Sequence, residues 1–496
     1  MHRLVPVYFP PRGAKASALP PSFRSAFRCP WPRLRAQHLP CSSSSPYRSL
    51  TVAARKYLLS RARKQAVSSA ILLFIVAAAA LSQTPPAQQT LTLAQAEAIA
   101  LKNHPKIAAA QNIEYAAGQR VTEARAPYYP ELNAELTGSQ ANYGSRLGAG
   151  AINDSLLFNR QGDGLVVNQL VTDFGRTKNL VADSRLQEQA ATRTTQATRY
   201  DVVLGVNRAY YGVLESQALV RVAQETVNAR QVLTDQVTAL ANAQLKSQLD
   251  VSFAQVNSSE ARLMLIRAQD NLKQSFADLT RALGDDSAPV EYQLTDTPEP
   301  TPPPLDTESL VGEAIQNRPE LADLRLRYQA ARKFEAAEKD LKRPNVTFIA
   351  VGGALPYLDQ NPRVTPDAYE AAALNVEIPI FNGHLFSARE QAAHFESLAA
   401  NQRLRDLQQQ VQHDVRSAWL TASNAYQRIP VTVELLGQAR LALELAQGRY
   451  NLGLASIVEV TQAELSVTQA QIENVNANYD YQNAWAALQY TIGALR

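Results

Sequence analysis

After Cys41 the chain has no cysteine, so nothing beyond that point can form a disulfide, ligate a metal through thiolate or attack as a thiol. Exposure to an oxidising compartment would cost it nothing. Residues 1–96 have no aspartate or glutamate, yet carry 13 of the 49 lysines and arginines. The remainder is therefore acidic, with 36 basic against 45 acidic side chains. The basic pI belongs to the leader and gives no support for nucleic-acid binding. Proline is absent from residues 131 to 288, which leaves room for very long helices. No P-loop, dinucleotide fingerprint or nucleophile elbow occurs. His104, His384, His394 and His413 fall at no metal-ligand spacing. No catalytic residue, cofactor or metal is expected, so energy for any transport comes from another protein.

The leader has an internal order. Arg55, Lys56, Arg61, Arg63 and Lys64 precede the apolar run from Ala70 to Leu81, and small polar residues come next, from Ser82. A transmembrane helix needs about 18 apolar residues or more, which this run does not reach. Residues 55–82 are therefore expected to be a cleaved signal peptide. No cysteine comes after the run, so no lipid anchor is expected. Residues 1–54, rich in Pro, Arg and Ser, form an atypical extension that a start codon assigned too far upstream would explain.

Beyond the leader the chain is one unit written twice, residues 83–284 and 306–496, separated by a Pro-rich linker at 285–305. Ala100 to Pro105 matches Ala314 to Pro319 at an offset of 214, as Pro130 matches Pro344. Gly175 matches Gly383 at 208, whereas Tyr210 with Trp419, Ser247 with Ser456 and Gly284 with Gly493 match at 209. Each copy reads as a helix, two strands, a very long helix and a medium helix. Thr92 with Gln95 has capping-box spacing for a first helix running to about Arg125. The long helix spans Arg176 to about Ala243, roughly 100 Å at 1.5 Å per residue, and must be a strut.

In the fourth element Val251, Ala254, Ser258, Ala261, Leu265, Ala268, Leu272, Ser275, Leu279 and Ala282 step by three and four. Val460, Ala463, Val467, Ala470, Asn474, Ala477, Tyr481, Ala484, Leu488 and Thr491 repeat the pattern 209 residues later. Both are coiled-coil seams. Leu132, Ala134 and Leu136 alternate with polar residues, as do Leu374, Val376, Ile378 and Ile380. Both segments have the period of strands with one apolar face. Leu165 to Phe174 and Asn345 to Val351 supply the other two strands, and a half-buried soluble sheet would produce the same pattern. If the apolar faces met lipid, no strand edge could stay unpaired. Four strands cannot enclose a pore, and three chains contributing twelve are the smallest closed set wide enough for a channel.

The residues from Leu91 to Arg496 resemble the TolC-like outer-membrane efflux proteins. The likeness rests on Leu91-Thr92-Leu93 with Ala100 to Asn103 and Pro105, on Gln169 to Gly175, on Ile378 to Gly383, and on Arg449 to Val460. It implies a mainly α chain with a small β part, forming in a homotrimer a twelve-helix α-barrel and a twelve-stranded transmembrane β-barrel. The location implied is the outer membrane of a diderm bacterium, in contact with outer-membrane lipid, with the helices projecting into the periplasm. The partners implied are a periplasmic membrane-fusion adaptor and, through it, an inner-membrane pump of the resistance-nodulation-division, ABC or major-facilitator type. Such a duct serves efflux or type I secretion, and the alternatives are a periplasmic adaptor or a coiled-coil protein without a pore.

By the same resemblance the turns Leu245 to Val251 and Tyr450 to Val460 are the periplasmic tips. Glu459 holds the place of an acid lining the entrance, Asp250 is its counterpart in the first copy, and Gln462 stands where a second acid can occur. Tyr450 completes the candidate gate, and Ala455 replaces a basic residue. Ser247, Leu249, Gly453, Leu454, Ala455 and Ser456 are the candidate docking tips. Asp173, Gly175, Pro379 and Gly383 mark the strand-to-helix turns. For Glu459 and Asp250 a solvated helix face is the alternative, and for Gly453 a purely structural helix stop.

Overall fold

A computed structural model describes residues 90–140, 160–285, 291–295, 300–358 and 368–495. The expected signal peptide, the atypical extension and both cysteines lie outside the described residues.

The first helix opens as the capping box requires. Thr92 N–H donates to Gln95 Oε1 at 3.0 Å, and Gln95 N–H donates to Thr92 Oγ1 at 3.3 Å. It does not run through to Arg125, as the sequence reading expects. It breaks into α1 (Leu93–Asn103) and α2 (Pro105–Arg125). His104 between them is extended (φ −68°, ψ 123°), because a proline lacks an N–H and its ring drives the preceding residue out of the helical region. The His104 imidazole Nδ1 then accepts from Lys106 N–H at 3.2 Å and restarts the helix. The second copy repeats the break at Arg318, between α5 (Thr307–Asn317) and α6 (Pro319–Lys339).

The struts are α3 (Arg176–Asn242) and α7 (Leu385–Asn451), each 67 residues and thus roughly 100 Å long. Their starts lie 209 apart in sequence. That spacing aligns Phe174 and Gly175 with Gly383 and His384, the two consecutive left-handed residues in each turn. The 208 offset read between the two glycines is thus a one-residue slip. The returning helices are α4 (Gln248–Leu283) and α8 (Ile457–Thr491). Every one of the twenty seam residues is buried or half-buried, Ala261, Leu279, Val460, Ala470, Ala477, Tyr481 and Leu488 most completely.

The end of α4 abuts the α1–α2 break. Gly284 sits at φ +71°, and a Cβ there would lie 2.6 Å from His104 Cα. Hence α2 alone continues the line of α4 along α3, while α1 packs on the flank of α3 and α4. The helices form a wall ordered α2–α3–α6–α7 toward the strands and α4–α3–α8–α7 toward the tips. Both margins of the wall are open, with Leu435, Leu441 and Leu445 of α7 and Phe253, Val256 and Ile266 of α4 exposed.

The linker is more structured than its prolines suggest. Within it β4 (Gln293–Leu294) pairs in parallel with β1 (Thr90–Leu91). The Tyr210 hydroxyl lies 3.0 Å from the carbonyls of both Leu91 and Thr295, and Trp419 Nε1–H donates to Pro304 O at 2.6 Å. Tyr210 and Trp419 are the repeat-matched pair, so each strut pins the linker from the same position.

Strands β2 (Glu131–Ser139), β3 (Arg160–Thr172), β5 (Asn345–Leu358) and β6 (Ala368–Glu377) form one antiparallel sheet in the order β2-β3-β5-β6. Several bounds differ from the sequence reading: β3 begins at Arg160 instead of Leu165, and β5 runs on past Val351 to Leu358. Phe174 falls in the turn with φ 53°, and Ile378 and Ile380 lie past the end of β6, where Pro379 cannot donate to a ladder. The register sets Leu132, Val167, Ala350 and Ala372 on one row and Ala134, Leu165, Gly352 and Glu370 on the next. Both copies thereby place Leu132, Leu136, Leu165 and Val167 on a common face with Phe348, Leu374 and Val376, interrupted by Asp163, Gln169 and Glu370, while Val166, Leu170, Ile349 and Val351 lie on the other face. Leu132, Leu136, Leu374 and Val376 are exposed, and β2 and β6 leave open edges.

Candidate functional site: hairpin tips and strand-to-helix turns

The two hairpin tips meet at the end of the wall opposite the sheet. Leu233, Val237, Val251 and Ala254 of the first hairpin and Ala446, Tyr450, Ile457 and Val460 of the second form one buried cluster. Gln236 Nε2–H donates to Asn451 Oδ1 at 3.2 Å, and Asn257 Nδ2–H to Thr461 Oγ1 at 3.1 Å, across the same contact.

Asp250 and Ser247 form a capping box on α4: Asp250 N–H donates to Ser247 Oγ and Ser247 N–H to Asp250 Oδ2, each at 3.2 Å. Ser456 begins α8 without such a bond. Glu459 is exposed and pairs with Arg449, Nε to Oε1 3.3 Å. Gln462 is exposed too, whereas Tyr450 is buried, with Lys246 Nζ 4.0 Å from its ring centroid. Burial pushes the Tyr450 hydroxyl up, and the charge of Asp250 adds to the shift. Gly453 is left-handed at φ +75° with open space around it. Leu245, Leu249, Leu452 and Leu454 are exposed, so the extreme tips are apolar. Ala455 is half-buried against the tip cluster. Asp250 and Tyr450 are thus brought together, and Glu459 points away to Arg449.

At the other end of α3, Asp173 acts as the helix cap in place of Gly175. Its carboxylate accepts from Gly175 N–H (3.2 Å), Thr177 N–H (2.6 Å) and Thr177 Oγ1–H (2.5 Å). The second copy reaches into this turn. Arg343 Nη1–H donates to Phe174 O at 2.5 Å and its Nε lies 3.2 Å from Asp340 Oδ1, while Asp340 Oδ2 accepts from Asn179 at 2.9 Å. Pro379 borders the same cavity of about 350 Å³ with Asp173 and Arg343. Gly383, at φ +62°, meets nothing. The histidines have local tasks: His394 Nδ1 is 2.8 Å from Glu335 Oε1, His413 is 3.3 Å from Asp414, and His384 precedes α7.

Two residues that the sequence reading passes over face the hairpin contact. Arg230 of α3 is 7% exposed and Glu464 of α8 is 6% exposed, beside a cavity of about 130 Å³. Arg230 Nη1–H donates to Asn257 O at 2.9 Å and lies 3.8 Å from Glu260, while Glu464 Oε2 has no hydrogen-bond partner. Burial raises the Glu464 carboxyl, and Arg230 opposes the shift.

A doubled chain of struts, with a sheet apolar on one face at one end and paired hairpins at the other, is a helical duct anchored in a membrane by β-strands. No described helix is long and apolar enough to cross a membrane. The model of the family described as "Outer membrane efflux protein" matches residues 96–285 and 310–494, and the chain belongs to that family. It is an outer-membrane efflux channel. It is similar to the outer membrane protein TolC of Salmonella enteritidis (23% identical, covering 82% of this chain and 83% of the relative) and of Escherichia coli K12 (24%, 83% and 84%). The fold matches the solved structures of CusC (TM-score 0.70, 20% identical, 81% of this chain and 92% of that one) and of VceC from Vibrio cholerae (TM-score 0.69, 20%, 81% and 96%).

Proposed function

We propose that three copies of this chain close into one passive duct, a twelve-stranded barrel continued by a twelve-helix cylinder. The sheet carries this reading: it is antiparallel throughout, apolar on one face and open at both edges. Hydrocarbon tolerates no unpaired backbone edge, so β2 of one copy has to meet β6 of the next. The uncovered apolar residues on α7 and α4 support the same joining in the helical part. The exposed leucines of both tips suit docking of a periplasmic membrane-fusion adaptor, and through it an inner-membrane pump of the resistance-nodulation-division, ABC or major-facilitator type. Purified protein is expected to run as a heat-modifiable trimer in detergent and to give single-channel currents. A stable monomer in lipid, or a particle with no central opening, overturns the assembly.

Glu459, with Asp250 and Tyr450 behind it and Gln462 a turn further along, lines the entrance. Three symmetry-related carboxylates around a narrow opening attract cations. Glu459→Ala is expected to weaken block by multivalent cations in planar bilayers, and block equal to that of the unmodified channel removes Glu459 from the entrance.

A further inference from the structure

The entrance as described leaves Glu464 unused, and its surroundings are those of a switch. The carboxyl projects from α8 into the junction between the hairpins, five residues beyond Glu459. The hydroxyls beside it have already committed their protons, while the buried Nε–H of Arg230 stands without a partner. Thr468 Oγ1–H donates to the Glu464 backbone carbonyl at 3.0 Å, Thr226 Oγ1–H to Val222 O at 2.8 Å, and Arg230 Nη1–H to Asn257 O. Oε2 is left buried without a donor. A carboxylate in that position pays for desolvation without hydrogen bonds in return. The charged groups around it are Arg230 and Glu225 on α3, with Glu260 of α4 held against Arg230; from α7 the adjoining groove presents Tyr450. Toward the tips the junction is held by the apolar cluster, and its polar contacts are those of Gln236 with Asn451, Asn257 with Thr461 and Gln471 Nε2–H with Glu225 Oε2 at 3.3 Å.

We propose that Glu464 is a proton-linked latch: taking up a proton tightens the contact between the two hairpins of a protomer, and losing it loosens them. Apart, the hairpins let water reach the carboxyl, and it titrates near the ordinary glutamate value of 4.5; packed together, they raise it. The packed state therefore holds the proton more firmly and gains on the separated state as pH falls through the raised value, with the gain complete below 4.5. Acid closes the junction; neutral pH leaves a buried charge that favours opening. This effect on conductance rests on the reading of the tips as the entrance.

The test uses the full-length channel in planar bilayers between pH 8 and 4. The native channel is expected to lose conductance on acidification with a midpoint above 4.5, Glu459→Gln to keep that midpoint, and Glu464→Gln, fixed in the neutral form, to show the low-conductance behaviour throughout. Glu464→Gln with the native titration overturns the latch. A second measurement leaves Glu464 intact: spin labels at Gln244→Cys and Leu452→Cys, exposed on the two tips, report their separation. The distance distribution is expected to narrow through the same midpoint, and a distribution that ignores pH also overturns the latch. Narrowing with unchanged conductance upholds the latch and removes the entrance assignment instead.

Discussion

Gly284→Ala is expected to destabilise the protein by about 3 kcal/mol, the sum of about 1–2 for a left-handed alanine and about 1–3 for over-packing. The second part arises because the new methyl would stand 2.6 Å from His104 Cα and 3.1 Å from His104 N, backbone atoms fixed by the turn before Pro105. Gly453→Ala is the control, since it has the same handedness but nothing within 4 Å, and should cost about 1 kcal/mol. Thermal unfolding of the two variants in one detergent compares them directly. Equal losses would mean that the α4 end does not bear on the α1–α2 break, and the continuous line of α4 and α2 would have to be redrawn.

Arg389→Ala should cost about 3 kcal/mol, at the low end of what breaking a buried ion pair costs. Arg389 makes a fork on Glu338, Nε to Oε2 2.6 Å and Nη2 to Oε1 2.9 Å, and the Glu338 side chain is 2% exposed. Removing the guanidinium leaves that carboxylate buried and unanswered. The loss stays at the low end because the Arg389 side chain is itself 46% exposed and water can enter in its place. Adding Glu338→Gln to Arg389→Ala should restore most of the stability. A double variant no better than the single one would show that the two side chains serve α6 and α7 separately.

The long elements were legible because one rule decided each of them. Freedom from proline and a helical period placed α3 within a residue of its observed end, and the step of three and four found both seams. The break at His104 was written in Pro105, yet a strong capping box and continuous helix formers masked it. Asp250 was legible as a cap as well as a gate candidate, since Ser247 stands three residues before it; the structure shows the cap. Glu464 was not legible, because a seam with a single partner leaves its position on the solvent side. α8 packs against both α3 and α7, so a second face is covered. The apolar alternation gave each strand its period, but only the register across β3 and β5 shows that both copies turn the same face outward.

The equal struts make this chain a set of staves cut to one length. Taking a heptad from α3 alone would draw its tip about 10 Å away from Asn451 and Tyr450 and break the shared cap of the duct. Taking a heptad from α3, α4, α7 and α8 together would keep every knob opposite its hole. The reach of the tube across the space beneath its membrane is therefore adjustable only in coordinated two-turn steps, and a natural variant with a shorter tube should carry four matched deletions.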